Sequence, residues 1–145
     1  MKWSEFEKIR EAHNAQKREA QPIEKKHYSY PESQIQRQCV KWFRLQYPTY
    51  NKLLFHIPNE RKILQHQGAR MNDEGRVSGV ADLFLLIPSD GFHALFIEVK
   101  SAKGRQNGNQ KAWQKEVERF NYKYLVIRSL QEFQNAVNEY LHRLV

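Results

Sequence analysis

The segment HALFIEVKSAKG, residues 93–104, constrains this chain more than any other feature. Side chains alternate faces along a strand, so Leu95, Ile97 and Val99 point one way and Ala94, Phe96, Glu98 and Lys100 the other. The charges at Glu98 and Lys100 therefore share a face, roughly 7 Å apart along the strand. An otherwise apolar strand carries its only two charges at its end, just before a glycine-containing loop. A solvent-facing ion pair is the plain alternative, and such pairs stabilise little.

The flanking segments follow suit. ADLFLLIPSDG and FHALFIEVK predict two strands joined by the tight turn Pro88-Ser89-Asp90-Gly91. Upstream, SYPESQIQRQCVKWFRLQYP predicts a helix with Ile35, Cys39, Val40, Trp42 and Phe43 as its apolar stripe; Pro48 stops it and Ser29/Glu32 have capping-box spacing. KLLFHIP predicts a short strand. Residues 59–79 are polar, hold three glycines and predict a long loop of the kind that often carries function. QKAWQKEVERF predicts a helix with Trp113, Val117 and Phe120 inward, and YKYLVIRS a last strand. Ser129 and Glu132 open a final helix that buries Phe133, Ala136, Val137, Tyr140, Leu141 and Leu144. Trp3, Phe6 and Ile9 suggest a short amphipathic helix in residues 1–28, read as an accessory helix packed on the main domain or on a partner, with a DNA-binding arm as the alternative. The expectation is an N-terminal extension, 1–28, and one α/β domain, 29–145.

Composition narrows the partners. The 145 residues carry 24 Lys and Arg against 16 Asp and Glu, a net +8, which suits a polyanion. The longest apolar run, Leu83 to Ile87, is far short of the roughly 20 residues that cross a bilayer. A single cysteine excludes an internal disulfide framework and a Cys-rich zinc site, and points to an intracellular location. Cys39, on an apolar helix face, reads as a small core residue.

Asp82, after Gly79-Val80-Ala81, completes a constellation with Glu98 and Lys100. Two carboxylates on adjacent strands can hold a hard divalent cation and leave positions open for water and substrate. A lysine beside them can counter negative charge that develops in a transition state. Phosphodiester hydrolysis needs those parts. His56 and Asn59, in FHIPN, lack the further histidines and spacing of a His-metal finger nuclease. Arg61, Lys62, Arg70, Arg76, Lys103, Arg105 and Lys111 flank the constellation and together suit a phosphate track that binds without regard to sequence.

From HIPN through GARMNDEG, GVADL and IEVK to the glutamine opening the next helix, the chain resembles the VRR-NUC branch of the PD-(D/E)xK nucleases, over about Glu32 to His142. The resemblance implies a restriction-endonuclease-like αβββαβ core, a small mixed sheet flanked by helices. It implies Asp82 and Glu98 as ligands of Mg2+ or Mn2+, with the backbone carbonyl of Val99 and the helix acid Glu32 beside them. It makes Lys100 the catalytic lysine and Gln110 the motif glutamine that orients water or substrate; Asn59, read from its place after the strand, contacts substrate or holds its loop. The family usually has Pro-Asp where this chain has Ala81-Asp82, a change in loop geometry rather than in ligands. The implied activity is endonucleolytic cleavage of branched or structured DNA, junction-resolvase-like; the small size of the domain adds the expectation of a homodimer presenting two sites. A nucleic-acid binder that keeps this fold without turnover, and a protein-interaction module, are the alternatives.

Overall fold

Strand β3, Leu95–Val99, is the centre of the sheet and is buried on both faces. The computed structural model describes Lys8 and residues 31–58 and 70–144. The expected N-terminal helix, the Ser29 cap, Asn59, Arg61 and Lys62 lie outside the described residues. In chain order, helix α1 (Pro31–Gln46) is followed by a 3-10 turn (Pro48–Tyr50) and strand β1 (Leu54–His56); β2 (Leu83–Leu85) and β3 come next, then α2 (Gly108–Arg119), β4 (Lys123–Ile127) and α3 (Leu130–Leu141).

The sheet order is β1-β2-β3-β4. β1 and β2 pair antiparallel, as do β2 and β3. β4 lies parallel to β3, with Leu95 opposite Lys123 and Val99 opposite Ile127. A parallel neighbour needs a crossover, and α2 provides it. The β2–β3 connection closes on a mutual pair of backbone bonds between Ser89 and Phe92, so the turn residues are Asp90 and Gly91, both at positive φ. That is the tight hairpin favoured by Asp-Gly, one residue later than expected.

The alternation along β3 sorts the core into two layers. Leu95, Ile97 and Val99 pack with Leu83, Leu85 and Ile127 against Cys39 and Phe43 of α1 and Phe133, Val137, Tyr140 and Leu141 of α3. Each such buried side chain contributes about 1.5–3 kcal/mol. On the other face Ala81, Ala94, Phe96 and Tyr124 pack with Phe84, Trp113 and Val117 beneath α2. Burial pushes the Cys39 thiol up to about 12, as befits a core residue rather than a nucleophile.

Three expectations change. Phe120 is exposed with the Arg119 guanidinium over its ring, because α2 ends at Arg119. Leu144 is exposed because α3 ends at Leu141. Within the expected loop 59–79, residues 70–73 are helical. Among the described residues no helix is long and apolar enough to cross a membrane.

Candidate active site

The β2–β3 register places Leu83 opposite Ile97, so one step further Asp82 faces Glu98 across the strand pair. Asp82 is held at both ends. Its carbonyl accepts the Ile57 N–H and the His56 Nδ1–H, each at 3.2 Å. Its Oδ2 accepts the Val99 N–H at 2.8 Å, replacing the ladder bond β2 no longer supplies. In an extended strand the N–H and C=O of one residue face the same edge, so the Val99 carbonyl is turned toward Asp82 too.

Glu98 is 2% exposed and Lys100 5%. Charged side chains are almost never this buried without partners. Glu98 Oε1 has two: Lys100 Nζ at 3.5 Å and Gln110 Nε2 at 2.6 Å. Glu98 Oε2 is buried with no hydrogen-bond partner. A buried carboxylate oxygen left unpaired costs about 1–3 kcal/mol or more. Its environment shows the cost: desolvation, and then the Asp82 charge, push Glu98 from 4.5 up to about 8, against the pull of Lys100. Asp82 is also raised, first by desolvation, with the Val99 N–H opposing.

The donor set suits a small hard cation. Two carboxylates and a backbone carbonyl are all-oxygen ligands, and Mg2+ is commonly held by one or two carboxylates with substrate phosphates completing its shell. An unpaired Glu98 oxygen is where such an ion would bind. Among the described residues no group of three or more His, Cys, Asp or Glu stands close enough to share a metal. Glu32 accordingly sits at the rim: its Oε1 accepts the Ser101 N–H at 3.3 Å, and its charge reaches Asp82 only through space.

Gln110 stands in the first turn of α2 with its amide donating to Glu98 Oε1. Lys103, Arg105 and Lys111 are exposed on the loop after β3 and on α2. Arg70 is exposed and paired with Glu74 at 2.9 Å, and Arg76 is half-buried.

Four residues at the site escaped the sequence reading. Arg128 Nη1 ties down the Ser101 carbonyl at 2.6 Å and the Gly104 carbonyl at 2.5 Å, fixing the loop that leaves Lys100. Gln106 Nε2 bridges Gln114 and the Tyr124 hydroxyl. Tyr124 is buried, and its hydroxyl is raised by burial and then by Glu98. Asn107 caps α2. Of these only Asn107 left a local signal, the Asn-x-x-Gln spacing to Gln110; the others depend on the parallel β3–β4 register.

The VRR-NUC domain family model matches residues 19–131, most of the chain. The chain belongs to the VRR-NUC family. Membership brings a nuclease-type function. The chain is also similar to a solved structure described as a VRR_NUC domain protein: 19% identity, covering 77% of this chain and 88% of that one, with a TM-score of 0.68. At that identity the likeness shows the α/β fold, a mixed sheet flanked by helices. No curated protein matches the chain.

Proposed function

We propose that this VRR-NUC domain is a Mg2+- or Mn2+-dependent endonuclease that hydrolyses phosphodiester bonds in branched or structured DNA. The observation that carries the reading is a carboxylate pair, half-buried Asp82 and buried Glu98, with one unpaired Glu98 oxygen and a buried lysine on the same strand end. Asp82, Glu98 and the Val99 carbonyl hold the cation, with Glu32 adding negative charge from the rim. The cation supplies Lewis acidity toward the phosphate and makes water a competent nucleophile at neutral pH. Val99 N–H keeps Asp82 oriented, and Gln110 keeps Glu98 oriented. Lys100, anchored by its own N–H to the Ile127 carbonyl at 2.9 Å, presents Nζ to the charge that grows on the phosphate oxygens. Lys103, Arg105 and Lys111, with Asn59, Arg61, Lys62, Arg70 and Arg76, hold the DNA backbone. A domain of this size covers a short stretch of duplex, so a homodimer presenting two sites suits a branched substrate.

The test is cleavage of a panel of linear, nicked, flapped and four-way DNA with Mn2+ or Mg2+, against the same mixtures with EDTA. Metal-dependent incision, strongest on the branched members, is expected. Asp82→Ala loses about 10²–10³-fold in rate, the size typical of removing one electrostatic group from a site, while DNA affinity stays within a few-fold. Cleavage indifferent to EDTA or to Asp82→Ala overturns the proposal.

A further inference from the structure

Gln110 makes three hydrogen bonds, and the two through its side chain fix which way its amide points. The Asn107 N–H donates to Gln110 Oε1 at 2.9 Å, and the Gln110 N–H donates to Asn107 Oδ1 at 2.9 Å. Gln110 Nε2 then donates to Glu98 Oε1 at 2.6 Å. A backbone N–H can only donate, so the amide oxygen must face Asn107 and the NH2 must face Glu98. A flipped amide would set oxygen lone pairs against a carboxylate and an NH2 against an N–H. Capping boxes accept Glu or Gln at this place, but a Glu here would bring a third carboxylate onto the acid pair. The first turn of α2 has little room to drift, because the backbone at Asn109 and Gln110 lies against Gly79 closely enough to exclude a Cβ.

We infer that Asn107 is a positioning residue for the cation site: through the α2 cap it holds Gln110 as a fixed donor to Glu98 Oε1, leaving Oε2 as the oxygen presented to the divalent ion. The inference rests on the reading of Asp82 and Glu98 as cation ligands. A cap that served helix α2 alone would affect stability and leave cation affinity untouched.

The experiment titrates Mn2+ calorimetrically into the wild-type chain, Asn107→Ala, Asn107→Ser and Gln110→Met, with a circular dichroism melt of each. Partners of metal ligands typically govern affinity by 10–100-fold, so Asn107→Ala and Gln110→Met should bind Mn2+ about tenfold more weakly. Serine caps helices about as well as asparagine, so Asn107→Ser should recover affinity to within about twofold of wild type. Should Asn107→Ala fail to fold, Gln110→Met and Asn107→Ser carry the comparison. Wild-type affinity in Asn107→Ala or in Gln110→Met, or an Asn107→Ser as weak as Asn107→Ala, overturns the positioning role. No Mn2+ binding by the wild-type chain overturns the cation reading, and the positioning role with it.

Discussion

Glu98 is buried in a setting that favours its neutral form. Its folded value near 8 stands above the ordinary 4.5, so the folded chain binds that proton more tightly than the unfolded chain does. The stabilisation is therefore complete below about pH 4.5 and is lost as pH rises toward 8; Asp82, raised for the same first reason, adds in the same direction. In EDTA, the melting temperature of Glu98→Gln minus that of wild type is expected to grow across this window. A difference that stays flat with pH contradicts the assigned burial. The side-chain identities at this scale were legible in the sequence: alternation along residues 94–100 predicts that Glu98 and Lys100 share a face, and they meet at 3.5 Å. What could not be read was that the face is covered. Its cover comes from α2 and Tyr124, which reach β3 only through a crossover of about two dozen residues.

Element boundaries follow hydrogen-bond chemistry more than apolar pattern. α2 begins at Gly108, ahead of its first apolar residue, because Asn107 and Gln110 satisfy each other's orphan N–H groups. Ser129 caps α3 by accepting the Glu132 N–H, as its spacing suggests, but Glu132 reaches back to the Arg128 N–H rather than closing the box on Ser129. That detour helps anchor the residue whose guanidinium clamps the loop at Ser101 and Gly104. β2 is only three residues long because Asp82 spends its side chain, not its backbone, on Val99. Gly79 is where element packing is least forgiving. Its φ is +85° and an added Cβ would stand 2.3 Å from the Asn109 carbonyl oxygen. Gly79→Ala is expected to lower stability by about 1–3 kcal/mol in urea titration and to shift the amide resonances of Asn107 to Gln110. A neutral substitution would mean that α2 is not seated against this turn.

At the scale of the molecule, the sheet separates two tasks. One face packs α1 and α3 into the larger core, which secures stability; the other carries the acid pair, Lys100 and the smaller aromatic layer under α2. The charge surplus acts at this scale as well. If Lys103, Arg105 and Lys111 contact phosphates, DNA affinity should fall linearly on a log–log plot against salt, and replacing each by Ala should reduce the slope by about 1. Slopes unchanged by all three substitutions would move the DNA elsewhere on the surface. The order of elements along the chain was legible because periodicity and turn residues are local, whereas the placing of β4 beside β3 and the buried, half-satisfied character of the site are properties of distant elements meeting. That meeting is most directly probed by anomalous diffraction from crystals soaked in Mn2+. The expected result is one peak at coordination distance, about 2 Å, from carboxylate oxygens of both Asp82 and Glu98, including Glu98 Oε2. Strong Mn2+ peaks elsewhere and none between those two carboxylates, at a concentration that supports cleavage, would contradict it.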